Sequence, residues 1–182
     1  MTGCFRLGRM NLDKTLRVLN EMQSQGVIGP YAIGGAVAAF LYLEPGATFD
    51  LDVFILWETG PRGLVDLSPI NNYLAKAGHR HGREGMMIEG WEVQFLPANT
   101  ALEREALAQA VSIEIAGVAT SILTREHLMA ICLQVGRAKD FARLLQFVQE
   151  GQPDEERLAK ILQKHSLENK WAAFKRRFLE SE

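Results

Sequence analysis

Residues 31–57 read YAIGGAVAAFLYLEPGATFDLDVFILW, and this stretch decides the fold. Tyr31-Ala32-Ile33 predicts a short strand. Gly34-Gly35 turns it into an apolar helix over 35–43, which Glu44-Pro45-Gly46 ends. A second strand then runs from Asp50 to Trp57, apolar except for Asp50 and Asp52 at its start. Residues two apart on a strand point to one face, so the two carboxylates project together. Like charges this close repel unless a cation lies between them or one takes up a proton, and a core strand gains nothing from such a pair. The pair therefore marks Asp50 and Asp52 as candidate ligands of a divalent metal.

The rest of the chain bounds what such a site can serve. At 182 residues, with 47% hydrophobic and 23% charged residues, the composition is that of an ordinary globular chain. The net charge of -2 decides nothing about nucleic acid as a partner. Cys4 and Cys132 form no metal-spaced cluster and read as two free thiols of a reducing compartment. The most apolar run, Val27 to Leu43, is broken by Gly29-Pro30 and Gly34-Gly35, and the N-terminus lacks an apolar signal core. The expectation is a cytoplasmic protein with no membrane segment.

Outward from the central stretch, residues 1–11 read as a loose arm. Leu12, Leu16, Leu19 and Met22 then follow helical spacing up to Gly26. Ser68-Pro69 reads as a cap and first turn, with Ile70, Tyr73 and Leu74 on one helix face. Residues 84–96 predict a hairpin through Glu89-Gly90, with Trp91, Val93 and Phe95 facing the core and Glu92 and Gln94 sharing the other face. His79 to Arg83 reads as a basic loop. A helix near 101–109 precedes a second hairpin, 111–123. From Thr124, taken as a helix cap with Glu126 in the first turn, the pattern is wholly helical. This sets the expected division: a core over 1–123 and a helical region over 124–182 packed on it.

A glycine pair at a strand-to-helix turn suits a phosphate, and equally suits close packing of strand on helix. The order of motifs is more specific than either motif. Ile33-Gly34-Gly35, a helix-length gap, then Asp50-Leu51-Asp52-Val53 resembles the nucleotidyltransferase superfamily that includes DNA polymerase beta. Within it the chain looks closest to abortive-infection toxins of the AbiEii type, which show a T-x-D-h-D strand (here from Thr48) and a later basic phrase, here Gly136-Arg137-Ala138-Lys139-Asp140.

That resemblance implies an α/β (α+β) fold, with a mixed sheet flanked by helices and a helical C-terminal segment. It implies Mg²⁺ or Mn²⁺ held by Asp50, Asp52 and a third acid. It further implies a nucleoside triphosphate contacted by Gly34, Gly35, Thr48, Arg137 and Lys139. The product would be an RNA or protein acceptor carrying a nucleoside monophosphate, in a toxin–antitoxin setting. Three positions depart from the pattern. Gln94 stands where relatives carry the third acid, leaving Glu92 as its candidate substitute; Cys132 stands for a lysine, and Gly46 for a loop arginine. The alternative expectation is a degenerate fold that binds nucleotide, metal or a partner without turnover.

Overall fold

The computed structural model describes residues 11–43, 48, 50–57 and 65–180. The N-terminal arm with Cys4, and the Glu44-Pro45-Gly46 helix stop, lie outside them. The first helix, α1 (Leu12–Ser24), buries Leu12, Leu16, Leu19 and Met22, its four predicted apolar positions. β1 (Tyr31–Ile33) follows, then α2 (Gly35–Ala39), shorter than its apolar composition predicts because Phe40 to Leu43 continue as turns. β2 (Asp50–Ile55) ends before Leu56, which is 49% exposed.

α3 (Ser68–Lys76) begins one residue earlier than read: Ser68 is its first helical residue, and its N–H is held by Asp66 Oδ1 at 2.9 Å. β3 (Arg80–His81) pairs with β4 (Met86–Ile88) where a loop was expected; two exposed polar residues carry no strand periodicity. β5 (Trp91–Pro97) buries Trp91, Val93 and Phe95 and turns Glu92 and Gln94 to the other face, as the alternation predicts. α4 (Ala101–Ala108) starts on a capping box: Thr100 Oγ1 accepts the Glu103 N–H at 3.1 Å and Glu103 Oε2 accepts the Thr100 N–H at 2.8 Å. β6 (Val111–Ile115) and β7 (Val118–Ile122) form the second hairpin.

The strands make one mixed sheet in the order β3-β4-β5-β2-β1-β7-β6. β2 lies parallel to β5 and antiparallel to β1, and β1 lies parallel to β7. The mixed α/β architecture is thus the expected one. Four helices follow: α5 (Arg125–Val135), α6 (Ala138–Gln149), α7 (Glu155–Lys164) and α8 (Glu168–Phe178). Thr124 occupies the cap position of α5, but its hydroxyl pairs with His127 Nδ1 at 2.7 Å instead of with a backbone N–H. Leu128, Phe147 and Phe174 belong to the same hydrophobic cluster as Ile33 and Val53, so apolar packing is continuous across residue 124. No described helix is long and apolar enough to cross a membrane.

Candidate functional site

The leading end of β2 emerges from the sheet with its alternation intact. Leu51 and Val53 are fully buried, Asp52 is half-buried and Asp50 exposed. Across the parallel ladder, Asp50 is paired with Glu92 and Asp52 with Gln94. The two aspartates therefore share one face at the mouth of a cleft of about 470 Å³.

The glycine pair is shaped by what β2 presents to it. Gly34 donates its N–H to the Asp52 carbonyl at 2.8 Å, and a Cβ on Gly34 would lie 2.4 Å from the Phe54 ring. Gly35 has φ +55°, and a Cβ there would stand 1.7 Å from Asp52 Oδ2. Only glycine meets both demands at position 35. The pair thus lets the Asp52 carboxylate press against the first turn of α2.

Facing this acidic edge is α6. Arg137, Lys139 and Arg143 line the cleft, and the last two lie one turn apart on the helix. Burial pushes the Asp52 carboxyl above the ordinary aspartate range; Arg143 and then Lys139 oppose the shift, and Asp50 adds to it. Arg137 is tied to its own helix: Nε donates to Asp140 Oδ2 at 2.7 Å and Nη2 to Oδ1 at 3.2 Å, while its backbone N–H also reaches Oδ2. Burial alone would raise the Asp140 carboxyl, but these bonds outweigh it and hold it below the ordinary range. The Arg137 side chain nonetheless remains 60% exposed, on the cleft wall.

Leu128, Ile131, Cys132 and Val135 supply the apolar part of the lining. Cys132 is buried, as its apolar character predicts, and burial pushes its thiol up to about 11. It contributes packing where the resemblance would have a lysine. Thr48 lines the same cleft, its Oγ1 lying 3.4 Å from the Asp50 N–H.

Glu92 is brought beside Asp50 by register but not into the cleft. Its Oε1 accepts the backbone N–H groups of Glu84 and Gly85, and those bonds, Glu84's first, hold its carboxyl below the ordinary range. The cleft lining contains Gln94 and Glu84 in its place, with Gln94 Nε2 donating to Glu84 Oε2 at 3.3 Å. Sequence reasoning missed Glu84 and Arg143. The i, i+4 spacing of Lys139 and Arg143 was a readable signal; for Glu84, in a turn, there was none.

The donors fit one kind of metal site and exclude another. Among the described residues no group of three His, Cys, Asp or Glu side chains is arranged to hold an ion, so an all-protein cage is absent. Two adjacent carboxylates, one raised by burial and by its like-charged neighbour, suit a hard cation that brings further oxygen ligands with it. Mg²⁺ on a phosphate is such a cation.

No protein-family model matches the chain, and no curated protein matches it in sequence. Its fold is similar to that of an antigenic nucleotidyltransferase-like protein from Paracoccidioides brasiliensis, with a TM-score of 0.60 at 16% identity over 92% of this chain and 90% of that one. It is also similar to the solution structure of the antibiotic-resistance factor ANT(2'')-Ia, with a TM-score of 0.51 at 16% identity over 91% and 96% of the two chains. At these identities the likeness is one of fold.

Proposed function

We propose that this chain is a nucleotidyltransferase, moving a nucleoside monophosphate from a nucleoside triphosphate to a hydroxyl of an RNA or protein acceptor and releasing pyrophosphate. The observation that carries this reading is the opposition of charge across one cleft. Asp50 and Asp52 at the start of β2 and Arg137, Lys139 and Arg143 at the start of α6 line the same cleft. A metal-bound triphosphate presents the complementary pair, a cation to the acids and phosphate oxygens to the bases. The similarity of fold to an antigenic nucleotidyltransferase-like protein supports the same reading.

Asp50 and Asp52 would hold Mg²⁺ or Mn²⁺, which when bound neutralises phosphate charge and lowers the pKa of an attacking hydroxyl. Lys139 and Arg143 draw the phosphate tail toward α6, and Arg137, fixed by Asp140, offers its exposed edge to the same anion. Gly35 keeps the Asp52 carboxylate in place, and Thr48 lines the cleft within reach of the Asp50 backbone. The apolar side chains of α5 give a surface on which a base can rest. A toxin role of the abortive-infection kind, within the cytoplasm, is supported by the sequence phrases that begin at Thr48 and Gly136.

A second reading is a nucleotide-binding module without turnover. It is favoured by Gln94, an amide that cannot accept a proton, in the position paired with Asp52. Labelled triphosphates with Mg²⁺ or Mn²⁺, offered with total RNA and lysate protein, separate the two. Label transferred by wild type and lost in Asp50→Asn/Asp52→Asn supports the transferase. Tight nucleotide binding with no labelled acceptor supports the module.

A further inference from the structure

The turn between β3 and β4 rests on β5. Gly82 donates its N–H to the Gly85 carbonyl at 2.8 Å, and Glu92 Oε1 accepts from the Glu84 backbone and, at 3.0 Å, from that of Gly85. A Cβ on Gly82 would lie 2.5 Å from Glu92 Oε1, and one on Gly85 would lie 2.2 Å from the Val93 carbonyl oxygen. Side chains at either position would lift the turn off the strand. Glu84 is held within this clamp, and its Oε2 reaches Gln94, the ladder neighbour of Asp52. A second cleft, of about 370 Å³, shares Glu84, Gln94 and Leu96 with the first. Glu84 therefore stands at the partition between the nucleotide cleft and a second opening, whose wall includes Asn71, His81 and Arg83.

We infer that Glu84 is the proton acceptor for the acceptor hydroxyl, replacing the strand carboxylate that Gln94 lacks, and that Glu92 is the positioning residue that holds it there. The inference rests on the transferase reading above and deepens it. In the step, Glu84 takes the hydroxyl proton as the oxygen bonds to the α-phosphorus. The bond from that phosphorus to the bridging oxygen breaks, and its electron pair leaves with pyrophosphate. The acceptor enters by the second cleft, so the acid sits where nucleotide and acceptor meet. A carboxylate at residue 84 can take that proton, whereas the amide at residue 94 cannot.

The test compares wild type, Glu84→Gln, Glu92→Gln and the double variant Glu84→Gln/Gln94→Asp, with transfer kinetics and Mn²⁺–ATP binding measured on each. Glu84→Gln is expected to lower kcat by about 100-fold or more. It should also leave the Mn²⁺–ATP dissociation constant within about twofold. An acid restored at residue 94 recovers part of the rate. Glu92→Gln lowers kcat, not nucleotide affinity, and speeds hydrogen exchange at the Glu84 and Gly85 amides. A transferring wild type whose Glu84→Gln variant keeps kcat within about threefold overturns this inference and leaves the transferase reading standing. A wild type that binds Mn²⁺–ATP and transfers to no acceptor overturns both.

Discussion

Replacing Gly35 by alanine tests how the central motif is built. The new methyl would start 1.7 Å from Asp52 Oδ2 and 2.6 Å from its Cγ, on a residue with φ +55°. The left-handed backbone costs about 1–2 kcal/mol for a residue with a Cβ, and forcing a group into occupied space costs about 1–3 more. The sum, about 2–5 kcal/mol, corresponds to a Tm loss of roughly 4–20 °C for a chain of this size. Gly78→Ala is the matched control, with φ +87° and no atom within 4 Å of its Cβ position, so it should show the backbone cost alone. Thermal unfolding of Gly35→Ala, Asp52→Ala and the double variant closes a double-mutant cycle. Asp52→Ala removes the two nearest atoms and leaves the Asp52 Cβ, at 2.9 Å, so the alanine at 35 should cost about 1–3 kcal/mol less in that background. Mn²⁺ affinity should fall by about tenfold or more in Gly35→Ala if the displaced Asp52 carboxylate holds the ion as proposed. Equal cost for Gly35→Ala with and without Asp52, or a cost no larger than that of Gly78→Ala, would refute the packing argument.

Asp52 has its carboxyl raised on folding, so its contribution is fully present below the ordinary aspartate pKa and is lost as pH rises through the raised folded value. Asp52→Asn should therefore be more stable than wild type at neutral pH and no more stable in strong acid, as a series of Tm measurements against pH would reveal. His127 is buried, with its pKa lowered from 6.5 to about 4 by desolvation first and the Arg157 charge second, so folding stability should decline as pH falls from about 6.5 to 4. This amounts to about 3 kcal/mol, and His127→Gln should flatten that limb in urea titrations. Lys139→Ala with Arg143→Ala should weaken Mn²⁺–ATP binding and its salt dependence, and should lower Tm slightly at neutral pH because both charges favour the ionised form of Asp52. Asp140→Ala removes the cap of α6 and the partner of Arg137 together, and a loss of about 1–3 kcal/mol in denaturant unfolding is expected.

Strands were legible wherever one face is buried. Trp91, Val93 and Phe95 alternate with Glu92 and Gln94, and that alternation survives into the fold because a shift by one residue would put every apolar side chain in water. β3 was not legible, because Arg80 and His81 are both exposed and only the β4 edge holds them. The Asp50–Asp52 pair was readable from period two alone, and so was its place at the strand's open end. The direction of the Glu92 carboxylate was not. It depends on backbone N–H groups of residues 84 and 85, which meet it only after the turn closes on β5. Arg137 illustrates the reverse case. Its candidacy as an anion contact rests on a motif, while its bond to Asp140 is a local cap at i+3 that the spacing already contained. The cation missed on α6, Arg143, needed only the one-turn offset from Lys139. The acid in the turn, Glu84, meets Gln94 only once the turn has closed on β5.

The proposed site joins Asp50 and Asp52, through a divalent cation, to a nucleotide held by the basic face of α6. Calorimetric titration of nucleoside triphosphate into the protein, with and without Mn²⁺, measures that dependence. Wild type should bind only when Mn²⁺ is present, and Asp50→Asn/Asp52→Asn should lose that binding while still folding. Binding that is indifferent to Mn²⁺, or that survives in the double variant, would contradict the claim.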